Sequence, residues 1–146
     1  VYALGFSAGA SAMIVSNLVN ARVAPRVGAD VMLRLAVGLG VLGSGAMLTL
    51  VATGILAPWS FILCAFVVTG GAVLTMSNAS ALALDAADRA RGAGSALLGG
   101  SQFLVASAVI PLVGLWGEHT ALPMAVVMSV CAVLALGFAV FALRRS

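Results

Sequence analysis

The sequence predicts an all-α membrane protein with five transmembrane helices. Hydrophobic residues make up 63% of the 146 residues and charged residues only 8%, whereas a soluble domain carries roughly 25% charged residues. The mean hydropathy is +1.23. Long stretches contain no charge, and the seven basic residues, all Arg, fall only between some of these stretches. This composition excludes most soluble enzymes, and a net charge of +3 is too small for a nucleic-acid-binding surface.

Four runs lack Asp, Glu, Lys, Arg and His: 1–21, 35–84, 92–117 and 120–143. A helix needs about 20 apolar residues to cross a bilayer, so the longest run has room for two helices. A turn at 53–59 divides it, because Gly54 breaks a helix and Pro58 suits a first helical turn. Trp59 fits the membrane–water boundary. The apolar residues are continuous rather than alternating, which argues against strands. The predicted spans lie at about 1–20, 31–52, 58–84, 93–116 and 121–143.

The Arg residues predict the orientation of these spans. They lie in the first connection, in the third connection and after the last helix, at Arg22, Arg26, Arg34, Arg89, Arg91, Arg144 and Arg145. Alternate connections share one side of a membrane, and the side richer in Lys and Arg is cytoplasmic. We therefore expect a multi-pass protein of the cell membrane, in bacteria the inner membrane, with a cytoplasmic C-terminus. Val1 enters a hydrophobic helix directly, which predicts a piece of a longer membrane protein.

Large amides inside the predicted spans are the candidate site residues. Asn78 and Gln102 lie far from any loop charge, where a polar side chain should face another helix or a watery cavity. They predict either a solute pathway or hydrogen bonds between helices. Asn17 is a third cavity candidate, but Asn17 and Asn20 both lie close enough to the end of the first helix for a capping or loop role.

The distribution of polar residues also distinguishes helices expected inside the bundle from helices expected to contact lipid. The second and fifth predicted helices contain no Asn or Gln and could tolerate lipid on most sides, so the first, third and fourth are expected inside. Gly5 and Gly9 give the first helix a face for close helix contact. Gly38, Gly40 and Gly43 match G-x-G-x-x-G, but no strand precedes them and no acid follows at the required spacing. They therefore predict helix packing rather than dinucleotide binding.

Catalytic and metal chemistry find no support in the sequence. Cys64 and Cys131 lie mid-span on different helices and are predicted to be small core residues. His119 is the only His and is expected to be a solvated loop residue, since Glu118 alone cannot complete a metal site. No nucleophile has a base, and no carboxylates are paired inside a span. We expect neither an enzyme nor a cofactor.

Two stretches resemble a known family. The segment 16–22 followed by 26–28, with Asn20, Arg22, Arg26 and Gly28, resembles the second copy of the basic loop motif of major facilitator superfamily transporters, although Asn20 replaces a frequent Asp. The stretches 78–84 and 91–99, then Gln102, look like the tenth and eleventh helices of Bcr/CflA-type multidrug efflux proteins. The resemblance implies helices eight to twelve of a twelve-helix protein, a partial C-terminal bundle.

The resemblance implies a secondary transporter in which two six-helix bundles rock about a central site. It further implies export of small molecules or drugs in exchange for protons, in the lipid bilayer, with the N-terminal six-helix bundle of the same protein as partner. Since no titratable group lies inside a span here, the coupling acid is expected in that N-terminal part. An uptake facilitator of the same fold and a non-transporting scaffold subunit remain open. Asn78 and Gln102 facing one cleft would favour transport; both buried in tight contacts would favour a scaffold.

Overall fold

A computed structural model describes residues 2–55, 57–87, 90–114 and 122–143. These residues form five helices and no strand, so the predicted all-α class is confirmed. The helices, in chain order, are α1 (Tyr2–Val27), α2 (Ala29–Ala52), α3 (Pro58–Ala86), α4 (Arg91–Gly114) and α5 (Leu122–Leu143).

Four of these helices, α2 to α5, are long and apolar enough to cross a membrane, so the chain is a multi-pass membrane protein. Over its described residues α1 is not among the four. Its C-terminal half carries the amides of Asn17 and Asn20 and the guanidinium groups of Arg22 and Arg26, which lower its hydropathy.

The turn predicted at 53–59 is confirmed. Helix α2 ends where Thr53 donates its N–H to the Thr49 carbonyl at 2.9 Å, and Gly54 then takes a positive φ of 70°. Pro58 occupies the first position of α3, where its missing N–H leaves no helical hydrogen bond unmade. Trp59 is 75% exposed beside this turn, as a side chain at a membrane boundary would be.

The first helix is longer than the predicted span, and the capping or loop role expected of Asn17 and Asn20 is wrong. Both lie inside α1, which continues to Val27. Pro25 lies inside the last turn of α1 and does not end it. Gly28 ends the helix with φ 91°, a conformation that L side chains rarely adopt. It is the only residue between α1 and α2.

Within this five-helix unit the second helix has buried contacts, and its tolerance of lipid on the remaining sides stays a prediction. Helix α2 packs against both α3 and α5, and α1 packs mainly on α3. The buried residues of α2 are Met32, Leu33, Ala36, Val37, Gly43, Ser44 and Met47. In contrast, no residue of the span Arg91–Pro111 in α4 is buried. Small residues let α2 approach its neighbours closely. The absence of Asn and Gln from this helix does not indicate whether it packs closely.

Three Arg residues used for the orientation, Arg89, Arg144 and Arg145, lie outside the described residues, as do Glu118 and His119. Near the third connection, Arg91 Nη2 lies 3.9 Å from Asp85 Oδ1. Both side chains are largely exposed, and ion pairs of this kind contribute little to stability.

Candidate functional site

A pair of asparagine amides joins α1 to α3 across the bundle. Asn78 is only 2% exposed, and its Nδ2 donates to Asn20 Oδ1 at 2.7 Å and to the Leu74 carbonyl at 2.8 Å. Both hydrogens of the Asn78 amide are therefore used within the protein. Of the two roles that the sequence leaves open for Asn78, this geometry is that of a hydrogen bond between helices.

The amide pair continues a seam of small residues between the two helices. On α1, Ala12, Ser16 and Asn20 are spaced by four residues and so share one face; Ala12 and Ser16 are buried. On α3, Gly70 lies opposite Ser16, and a Cβ added to Gly70 would come within 2.8 Å of Ser16 Oγ. A side chain at position 70 would therefore require the Ser16 hydroxyl to move. Gly9, by contrast, has open space around it, so the described residues do not make the contact expected of Gly9.

Helices α2 and α3 approach each other at the level of their backbones. A Cβ on Gly71 would lie 2.9 Å from the Gly40 nitrogen and 3.1 Å from the Ala36 carbonyl oxygen. A Cβ on Gly43 would meet the side chains of Val67 and Val68 at 3.0 Å. Small residues of this kind allow close packing of membrane helices. Gly40 and Gly43 of α2 therefore serve helix packing, as the sequence predicts, whereas a Cβ added to Gly38 would meet open space.

One side-chain hydroxyl group, that of Ser129 on α5, contacts the backbone of α2. Ser129 Oγ lies 3.2 Å from the Ser44 carbonyl oxygen of α2 and 2.8 Å from the Ala125 carbonyl of its own helix. Ser44 is 1% exposed. Hydroxyls between membrane helices commonly act in this way. In the sequence, Ser44 and Ser129 stand out because hydroxyl side chains are rare in these otherwise apolar helices.

The two cysteines differ. Cys64 is buried in a cluster with Met47 and Ala125, as predicted. Cys131 is exposed, so its prediction as a core residue is wrong. It lies on the rim of a groove between α2, α3 and α5, with a volume of about 340 Å³.

The other cavity candidates lie on open surfaces. Gln102 on α4 and Asn17 on α1 are both exposed, and within the described part of the chain neither makes a hydrogen bond to another side chain. The structure therefore does not bring Gln102 together with Asn78 by direct contact. A scaffold was expected to bury both Asn78 and Gln102, and a transporter was expected to place both in one cleft. The described residues meet neither condition.

The residues of the basic motif surround the α1–α2 connection. Arg22 and Arg26 are exposed on the last turns of α1, Asn20 points to Asn78, and Gly28 forms the connection itself. Asp30 lies in the first turn of α2, where the negative charge of a carboxylate stabilises the helix.

Comparison with known proteins gives one informative similarity. The chain is 32% identical over 124 residues to a bicyclomycin resistance protein homolog of Haemophilus influenzae. The aligned region covers 85% of this chain and 31% of the relative, so the chain spans about a third of that protein's length. No family model matches the chain, and no solved structure matches it. The motifs around 78–102, the multi-pass helical fold and this similarity together show that the chain belongs to the Bcr/CflA group of the major facilitator superfamily.

Proposed function

We propose that this chain forms helices eight to twelve of a secondary transporter that exports small molecules or drugs across the cytoplasmic membrane. The observation that carries the proposal is the similarity over 85% of the chain to a protein named for bicyclomycin resistance. Four helices able to cross a membrane support it. The relative is about three times as long as the aligned region, which supports a further set of helices in the same protein.

We propose different roles for the amides. Asn78 holds α1 against α3 and acts as a positioning residue for the cavity wall. Gln102 and Asn17 are exposed, and a polar side chain on an apolar helix surface needs a partner at membrane depth. In the proposed protein that partner is the substrate, water in the cavity or a residue of the other helical bundle.

Proton exchange is the proposed driving reaction. The acids of the described residues, Asp30 and Asp85, lie near helix ends rather than mid-span. A proton relay inside a membrane requires an ionisable group within the bilayer. We therefore propose that the coupling carboxylate belongs to the N-terminal bundle. A full reading frame that encodes seven further spans without a membrane-embedded Asp or Glu would reject this assignment.

The test is drug resistance conferred by the full-length gene in a strain that lacks its major efflux pumps. We expect higher minimal inhibitory concentrations for at least one small-molecule antibiotic, lost when the proton gradient is dissipated. Gln102→Ala should lower the resistance several-fold at equal membrane expression. Ser107→Ala is the matched control, because this exposed hydroxyl already bonds to its own helix at Leu104.

A non-transporting scaffold is the second candidate, because Asn78 is buried in a helix contact, although a scaffold was expected to bury Gln102 as well. A scaffold predicts that the full-length protein changes neither the resistance nor the cellular accumulation of any compound tested. An uptake facilitator predicts increased accumulation. Reduced accumulation supports export alone.

A further inference from the structure

A serine hydroxyl in the contact between α1 and α3 has no hydrogen-bond partner among the described residues. Ser16 is only 8% exposed, and a Cβ added to Gly70 of α3 would lie 2.8 Å from its Oγ. Ser16 itself makes no hydrogen bond within the described part of the chain. Other serines, Ser95, Ser101 and Ser107, each donate to a carbonyl of their own helix. Because burying an unpartnered hydroxyl is costly, the Ser16 hydroxyl points to a bound polar group.

The amide pair leaves a second polar group unused on the same face of α1. Asn78 Nδ2 donates to the Leu74 carbonyl, which can only accept, so the orientation of the Asn78 amide is fixed. Asn20 must then present its oxygen to Asn78, and the Asn20 nitrogen is directed elsewhere. Among the described residues, neither hydrogen of this nitrogen has a partner. Two unused N–H groups therefore lie one helical turn from the Ser16 hydroxyl.

We propose that one water molecule bridges Ser16 Oγ and Asn20 Nδ2. Residues four apart in a helix have Cβ atoms roughly 5–6 Å apart, and two hydrogen bonds of roughly 2.8 Å placed end to end span the same distance. The water oxygen accepts from both groups. One water hydrogen is then available to the carbonyl oxygen of Asn78, the acceptor left over in the amide pair. A buried water makes about three hydrogen bonds of this kind. The inference concerns contacts within the described helices and does not depend on the proposed export.

The contact leaves room for a small molecule and not for a large one. Among the described residues that are not exposed, no fully enclosed side-chain nitrogen or oxygen atom lacks a hydrogen-bond partner. The unpartnered Ser16 hydroxyl is therefore not fully enclosed and borders a space. Gly70 is buried opposite it, so a further helix cannot enter between α1 and α3 at this level. An apolar occupant would leave the hydroxyl and the amide unsatisfied.

Water has access from the basic end of α1. Asn20 is half-buried, and Arg22 and Arg26 beyond it are exposed. At 1.5 Å per residue, Ser16 lies about 9 Å along the helix axis from Arg22. A cation is disfavoured because the Asn20 nitrogen presents N–H groups to the site and neither Ser16 nor Asn20 carries a negative charge.

A crystal structure of the full-length protein, at a resolution that shows ordered water, is the first test. We expect one water within hydrogen-bond distance of both Ser16 Oγ and Asn20 Nδ2. A protein side chain or a solute at this position would overturn the proposal. So would a Ser16 hydroxyl that donates to the Ala12 carbonyl of its own helix with no water beside it.

A double-mutant cycle with Ser16→Ala and Asn20→Ala measures the bridge in solution. The two side chains make no direct hydrogen bond to each other, so a hydrogen-bonded coupling between them requires a molecule that contacts both. We expect the combined effect on the unfolding equilibrium constant of the full-length protein to differ about threefold from the product of the single effects, the size of one hydrogen bond between membrane helices. Ser11→Ala replaces Ser16→Ala in the control cycle, because the exposed Ser11 hydroxyl bonds to its own helix at Ser7. It should show no coupling to Asn20→Ala. Independent effects of Ser16→Ala and Asn20→Ala would contradict a shared water.

Discussion

At the scale of single residues, the amide of Asn78 shows how a polar group is accommodated in a membrane helix. Its two hydrogens are satisfied by Asn20 and by the Leu74 carbonyl, and the side chain is 2% exposed. An unsatisfied amide at this depth would be costly, so a partner on a neighbouring helix explains its presence. Asn78 therefore needs no substrate to account for it, whereas Gln102 and Asn17 do need a partner that these helices do not supply.

The amide pair predicts a measurable coupling between α1 and α3. In a double-mutant cycle with Asn20→Ala and Asn78→Ala, we expect a coupling energy of about 0.6–1 kcal/mol, the size found for hydrogen bonds between membrane helices. The free energy of unfolding of the full-length protein in detergent is the measurement. Asn17→Ala, on the same helix but exposed, is the control and should show no coupling to Asn78→Ala. Additive effects of Asn20→Ala and Asn78→Ala would refute the interaction.

At the scale of helices, the packing is set by where the backbones can come together. Gly70 and Gly71 are adjacent in α3 but face different helices. Gly70 accommodates a serine hydroxyl of α1, whereas Gly71 accommodates the backbone of α2 at Gly40. A side chain can rotate away from an added methyl group, but the backbone of a packed helix cannot. The two glycines should therefore differ in their tolerance of substitution.

We predict that Gly71→Ala lowers the free energy of unfolding by about 1–3 kcal/mol relative to Gly45→Ala, the range for an overpacked core. Gly45 is the control because an added Cβ there meets open space, and both changes share the same gain in helix propensity. Gly70→Ala should fall between them, and Ser16→Ala should relieve it. The same unfolding assay measures all four. Equal stability of the Gly70 and Gly71 variants would show that the α2–α3 approach is looser than described.

At the scale of the whole molecule, the two ends of α2 differ in charge. Arg22, Arg26 and Arg34 are exposed around Gly28, at one end of α2. The turn at 53–57 and Trp59 lie at the other end, about 36 Å away along a helix of 24 residues. This separation has the form expected of a protein whose basic end is cytoplasmic.

The orientation predicts that a reporter fused after Ser146 lies in the cytoplasm. A green fluorescent protein fusion there should fluoresce, and an alkaline phosphatase fusion should be inactive. Fusions within the turn at 53–57 should give the opposite pattern, since that turn lies at the other end of α2. Phosphatase activity from the fusion after Ser146 would reverse the assigned orientation.

The sequence was sufficient for the helical class and for the second connection, because Gly54 and Pro58 act locally on the backbone. It did not reveal that α1 continues past Asn20, since an amide can cap a helix or bond to a distant one. The central place of α2 was also hidden. It depends on the approach of Gly71 to Gly40, two residues far apart in the chain that only the packed helices bring together. For the same reason, Asn20 could not be identified as the partner of Asn78.

The single residue between α1 and α2 has a mechanical consequence. Gly28 leaves no spare length to absorb movement, so a tilt of α1 is transmitted at once to the start of α2. A side chain at this position would be strained at φ 91° and would lie 2.8 Å from Asp30 Oδ1. The joint is therefore short and requires glycine. In a transporter whose two bundles rock, this short connection would make α1 and α2 move together.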